Sequence, residues 1–154
     1  MNPEIAEAVQ AALAVREFTV QLSATARGAR LARLLATEQL RAWGLPFEDA
    51  AHVVAELAAN AATHGRVSGR DFHLSLTATE GVLRVEVADT RGDRLPHAQP
   101  STSDGESGRG LVLVEALADR WGVTTGPPPR KTVWAELILV REGALTGTRS
   151  TTSR

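Results

Sequence analysis

Apolar residues along this chain change their spacing several times, and each change marks an element. Ile5, Val9, Ala12 and Leu13 share one side of a short helix over residues 3–15. Phe18, Val20 and Leu22 alternate with Thr19 and Gln21, the period of a half-buried strand. Ser23 or Thr25 caps the next helix, in which Leu31, Leu34, Leu35 and Leu40 keep helical spacing to about Trp43, and Gly44-Leu45-Pro46 ends it. A second helix runs from Phe47 to about His64, with Val53, Val54, Leu57 and Ala61 as its apolar face and Gly65 as its stop. Period two returns at Phe72, Leu74 and Leu76. Glu80-Gly81 turns the chain, and residues 82–87 come back as an antiparallel partner. Residues 89–107 are rich in Gly, Pro, Ser and Asp and read as a long loop, of a kind that in compact domains tends to be functional or mobile. A helix over about 109–120 follows. Strands over 121–125 and 132–140 flank Gly126-Pro127-Pro128-Pro129, and the polar residues 141–154 are expected to be disordered.

Hairpin-connected strands with grouped helices predict an α+β fold, a two-layer α/β sandwich whose mixed, mostly antiparallel sheet is covered on one face by helices. Strictly alternating βαβ units are absent from this order. Three segments are expected: an N-terminal helix over 1–15 that can serve as an interaction segment, a main domain over 16–140, and the tail over 141–154.

Composition narrows the chemistry. The 154 residues are 43% hydrophobic, enough for one core. With 17 basic against 18 acidic residues the formal charge is −1, so no global basic field argues for direct nucleic-acid binding. The chain has no cysteine, which excludes disulfides, thiolate zinc sites and a cysteine nucleophile. No apolar run reaches the ~20 residues that span a bilayer, and Glu4 and Glu7 sit where a signal peptide would be uncharged. A cytoplasmic protein without membrane contact is the expectation. Lys131 is the only lysine, and no Gly-Lys-Ser/Thr sequence exists, so a P-loop is ruled out. Ser/His/Asp catalysis finds no G-x-S-x-G elbow.

The candidate chemistry lies in four places. His52, Glu56, Asn60 and His64 follow one another at four-residue steps on the second helix, so Glu56 and Asn60 project together from the edge of its buried face. An asparagine oxygen can coordinate Mg²⁺, which prefers oxygen ligands and keeps phosphates and waters in its shell. A glutamate one turn earlier can orient or deprotonate an attacking hydroxyl. Taken alone, E-x-x-x-N is more often an ordinary exposed helix flank. Asp89 ends a buried-looking strand, where a carboxylate can accept from an exocyclic amine such as that of adenine, or merely cap a turn. Gly108-Arg109-Gly110 precedes Leu111 and opens a helix. Free N–H groups there favour phosphate, and Arg109 can add a charge-assisted contact. Thr132 opens the last strand, from which its hydroxyl can reach Asp89 or a nearby water. A metal site on the two helix histidines fails on distance, because twelve residues are ~18 Å of helix rise.

In this order the motifs resemble the Bergerat-fold ATP-binding superfamily of gyrase, heat-shock chaperones, sensor histidine kinases and MutL. Glu56-Leu57-Ala58-Ala59-Asn60 is similar to its N box, Val85 to Gly92 to its first glycine box, Glu106 to Leu111 to its second, and Thr132-Val133-Trp134 to its closing strand. Asp89-Thr90-Arg91-Gly92 places the glycine one residue later than the usual pattern. Within the superfamily the chain most resembles bacterial anti-sigma factor serine/threonine kinases and the small ATP-binding regulators of streptomycetes. That resemblance implies ATP and Mg²⁺ as cofactors, Asn60 as the Mg²⁺ ligand and Glu56 as catalytic base. It further implies Asp89 and Gly92 on the adenine side, Gly108, Arg109, Gly110 and Leu111 at the phosphates, Thr132 on the closing strand, and residues 93–107 as a lid. It implies a homodimer, with an anti-anti-sigma-like protein as phosphorylation substrate and a sigma factor as a further partner. The alternative is a non-catalytic, ATP-responsive protein that regulates transcription through protein contacts.

Overall fold

In the computed structural model, residues 2–6, 15–64, 71–89, 106–127 and 130–139 are described, without the side chains of residues 64 and 106–110. The elements are β1 (Arg16–Ser23), α1 (Ala26–Ala42), α2 (Glu48–His64), β2 (Asp71–Thr79), β3 (Val82–Asp89), α3 (Glu106–Leu117), β4 (Arg120–Thr125) and β5 (Lys131–Ile138). Of the expected N-terminal helix, residues 3–6 are helical and 7–14 lie outside the described residues, as do residues 90–105 of the loop expected over 89–107 and the whole tail expected over 141–154; Asp89 instead ends β3, and Glu106 and Ser107 open α3.

The five strands form one sheet in the order β1-β2-β3-β5-β4, antiparallel at every pairing. Alternation explains its two faces. Phe72, Leu74, Leu76, Leu83, Val85, Val87, Val133, Ala135 and Leu137 are buried on one face. Val53, Val54, Leu57, Ala58 and Ala61 of α2, with Leu111 and Val114 of α3, join them in the core. This is the predicted two-layer α+β sandwich, with a sheet that is antiparallel throughout rather than mixed. The opposite face carries an ionic row. Arg84 donates to Glu86 at 2.6 Å and to Glu136 at 2.8 Å, Arg120 donates to Glu136 at 2.7 Å, and the Arg84 guanidinium lies 4.3 Å above the Trp134 ring. Hydrogen bonds from Arg120 hold the Glu136 carboxyl below its ordinary range, against the opposing effect of burial, and Arg84 adds to the lowering.

Helix α1 starts where its sequence says. The Thr25 hydroxyl accepts from the Gly28 amide at 3.0 Å and caps it. At the other end the Gly44 and Leu45 amides donate to the Arg41 and Leu40 carbonyls, which closes the last turn. Its buried stripe differs from the expected leucines. Gly28, Ala29, Ala32, Ala36 and Leu40 face inward, while Leu31 and Leu34 are 41% and 58% exposed. Small residues let α1 lie close against α2, which leaves no depth for the larger side chains on that side.

Helix α3 begins at Glu106, three residues before the expected start, so Gly108 and Gly110 belong to its opening turns rather than to a turn before it. The predicted helix end at Arg120 is instead the first residue of β4.

Candidate functional site

The topology gathers one end of the sandwich. β1 ends there at Ser23 and α1 starts at Ala26; α1 runs away and α2 runs back to end at His64. Strand β2 starts at that end, its antiparallel partner β3 finishes there at Asp89, α3 follows at Glu106, and β5, antiparallel to β3, begins at Lys131. Helix α2 packs on β3, on α1 and on α3. The elements that carry Glu56, Asn60, Asp89 and Gly108 to Gly110 are therefore neighbours, although they come from distant parts of the sequence.

Glu56 and Asn60 are half-buried on α2, beside the buried Leu57 and Ala61. At 100° per residue they stand about 40° apart around the axis. Glu56 also lines a groove of about 530 Å³ between α1 and α2, with Ala26, Ala29, Arg30 and Arg33 on one wall and Ala55, Ala59, Ala62 and Thr63 on the other. The alanines make its floor shallow and apolar; the two arginines and Glu56 set its polarity. Glu56 thus borders this groove on one side, while Asn60 lies on the flank turned away from Ala55 and Ala62.

Asp89 continues the inward series Leu83, Val85, Val87 and is 6% exposed. Its burial at the end of an aliphatic strand is the feature its sequence position suggested. The residue opposite it is Lys131, not Thr132. Strand β5 buries Lys131, Val133, Ala135 and Leu137, so Thr132 falls on the other face, between Ala88 and Thr124. The expectation that Thr132 reaches Asp89 is corrected by this one-residue offset, which reverses the direction of every side chain on a strand. Lys131 Nζ stands 3.7 Å from Asp89 Oδ2, and both side chains are buried.

Leu111 is 1% exposed and serves the core where α3 meets α2. The backbone of Gly108, Arg109 and Gly110 is helical, within the opening turns of α3. The first four amides of a helix have no partner within it, which gives the segment its capacity for an anion. Gly92 and residues 93–105 of the lid expected over 93–107 lie outside the described residues, while its last two, Glu106 and Ser107, belong to the first turn of α3. Among the described residues no three His, Asp or Glu side chains are placed to hold a metal by themselves. Asn60 would supply one hard amide oxygen to an ion that takes the rest of its shell from phosphate and water, which suits Mg²⁺.

Residues 22–137 match the model of the histidine kinase-like ATPase domain, well over half of the chain. The chain belongs to the histidine kinase-like ATPase family. Among solved structures it is similar to the crystal structure of the RsbU and RsbW domains of Rv1364c from Mycobacterium tuberculosis. The TM-score is 0.63 at 22% identity over 82% of this chain. The match spans 33% of that longer chain, and at this identity the likeness is one of fold. No curated protein matches. No helix among the described residues is long and apolar enough to cross a membrane.

Sequence reasoning did not place Lys131 opposite Asp89, or Arg30 and Arg33 in the groove that Glu56 lines. The signal for Lys131 was available: continuing the alternation of Val133, Ala135 and Leu137 backwards lands on 131. Nothing along the chain marked Arg30 and Arg33, because their place beside Glu56 depends on how α1 lies against α2.

Proposed function

We propose that this protein is an ATP–Mg²⁺-binding regulator that acts as a serine/threonine protein kinase of the anti-sigma factor type, with an anti-anti-sigma-like protein as its substrate. The observation that carries this reading is the position of Glu56, between a surface groove lined by Arg30 and Arg33 and the flank of α2 that carries Asn60. A phosphoryl-transfer base needs that arrangement, with the acceptor reaching it from one side and the nucleotide from the other. The domain family and the fold likeness support the nucleotide half of the reading.

In this reading Asp89 accepts a hydrogen bond from the adenine amine, and the α3 amides with Arg109 bind phosphate. Asn60 would hold Mg²⁺, which supplies charge neutralisation to the triphosphate when bound. Glu56 accepts the proton of the substrate hydroxyl as its oxygen attacks the γ-phosphorus; the bridging P–O bond breaks and ADP leaves with the electron pair. Positioning and electrostatics supply most of the acceleration in such transfers, so a short roster of side chains suffices. A homodimer, a sigma factor as further partner and an interaction role for residues 1–15 complete the proposal.

The test is transfer of labelled γ-phosphate from ATP to a purified anti-anti-sigma-like protein. Label on a serine or threonine of the partner that disappears with Glu56→Gln supports the kinase. Tight ATP binding with no transfer to any such partner replaces it with the non-catalytic ATP-responsive regulator.

A further inference from the structure

Lys131 and Asp89 are the two buried charged residues among the described residues. They face one another at the end of the β3–β5 ladder, on the helix-covered face. Every other inward pair on that ladder is aliphatic: Val87 with Val133, Val85 with Ala135, Leu83 with Leu137. A role as simple counter-ion explains why a buried lysine sits opposite a carboxylate. It does not explain the presence of the pair, because replacing a buried ion pair with apolar residues of similar volume is often neutral or stabilising. The pair also sits where the chain ends of α2, α3 and β3 converge, and it uses the chain's only lysine.

The chemistry of the pair is directional. A carboxylate only accepts and an ammonium only donates. Their separation of 3.7 Å is within ion-pair range but beyond the roughly 2.7–2.9 Å of a charge-assisted hydrogen bond. Such a side-by-side acceptor and donor fits a ligand edge on which a donor adjoins an acceptor. Adenine has that edge, since its exocyclic amine is flanked by ring-nitrogen acceptors. We propose that Lys131 reads the nucleotide base together with Asp89, donating to a ring nitrogen beside the amine that Asp89 accepts from. This rests on the ATP reading above and adds a residue to it. Lysine suits the role better than arginine, being a compact point charge with three rotatable donors.

The experiment is calorimetric titration of the full chain with Mg²⁺ and ATP, 1-deaza-ATP or 7-deaza-ATP, each analogue replacing one flanking ring nitrogen with C–H. The wild-type protein is expected to bind one of the two analogues about tenfold or more weakly than ATP, the loss of one hydrogen bond to a charged donor. Lys131→Met is expected to lose about the same factor for ATP and to bind that analogue and ATP equally. Equal binding of ATP and both analogues by the wild-type protein overturns the role of Lys131 while the ATP reading stands. This arm needs no variant and holds even if Lys131→Met fails to fold. Discrimination that persists undiminished in a folded Lys131→Met protein overturns it as well. Absence of any ATP binding by the wild-type chain overturns the ATP reading itself, and this proposal with it.

Discussion

The substitution Gly28→Ala tests the corner on which the groove wall is built. A Cβ at residue 28 would lie 1.9 Å from the Ser23 carbonyl oxygen, with the Ser23 carbonyl carbon and hydroxyl each at 2.9 Å. The nearest atom is backbone at the end of β1, so relief requires the strand end to move, not a side chain to rotate. Three contacts share that corner: Thr25 N–H to the Ser23 carbonyl at 2.8 Å, the Ser23 and Thr25 hydroxyls at 2.9 Å, and the Gly28 amide to Thr25 Oγ1 at 3.0 Å. Losing the helix cap costs about 1 kcal/mol, a turn hydrogen bond about 1 kcal/mol, and overpacking about 1–3 kcal/mol. Alanine returns about 1 kcal/mol through its higher helix propensity. The net expectation is a destabilisation of about 2–4 kcal/mol, or roughly 5–15 °C in Tm for a chain of this size. Gly126→Ala is the control, because a Cβ there meets nothing within 4 Å, and it should leave Tm within about 2 °C. Thermal unfolding followed by circular dichroism on both variants decides the matter. A Gly28→Ala protein as stable as wild type, or more so, would refute the close approach of α1 to the end of β1.

Three further outcomes are expected. Glu56→Gln should leave ATP affinity unchanged and lower phosphoryl transfer by about a hundredfold or more, the usual contribution of a general base; single-turnover transfer rates measure it. Asn60→Ala should weaken ATP binding by about tenfold or more when Mg²⁺ is present and change it little when EDTA is added, and paired titrations with and without the ion separate the two. Glu136→Gln should lower stability near neutral pH, because it removes the negative charge and replaces one of the two oxygens that accept from Arg84 and Arg120 with an NH₂ donor. Because the folded carboxyl sits below its ordinary range, that stabilisation is present above the unfolded value of about 4.3 and is lost as pH falls through the lower folded value. The Tm gap between wild type and variant should therefore shrink in acid, and a gap that widens below about pH 4 would contradict the ionic row.

Period-two and helical spacing are local properties, and α1, α2, β2 and β3, which depended on them, stand where the sequence placed them. Phe72, Leu74 and Leu76 face the core, Val53, Val54, Leu57 and Ala61 bury one face of α2, and Thr25 caps α1. Two departures in which side chain faces inward have one cause each. The leucines of α1 keep helical spacing, yet Leu31 and Leu34 face outward, because close packing on α2 selected the alanine stripe instead. The expectation for Thr132 follows from taking it as the first residue of the last strand, whereas the register of β5 against β3 decides that Lys131 takes the inward position opposite Asp89.

The chain alone determined the kind and order of the elements from β1 to β5, the layer type, and the places of the candidates Glu56, Asn60 and Asp89 on them, because four-residue spacing on a helix and alternation on a strand fix neighbours without reference to the rest of the molecule. It could not determine that Arg30 and Arg33 line the same groove as Glu56, or which residue of β5 meets Asp89. Those relations join segments far apart in sequence, and packing distance and strand register, which set them, exist only once the sheet and its helix layer have assembled.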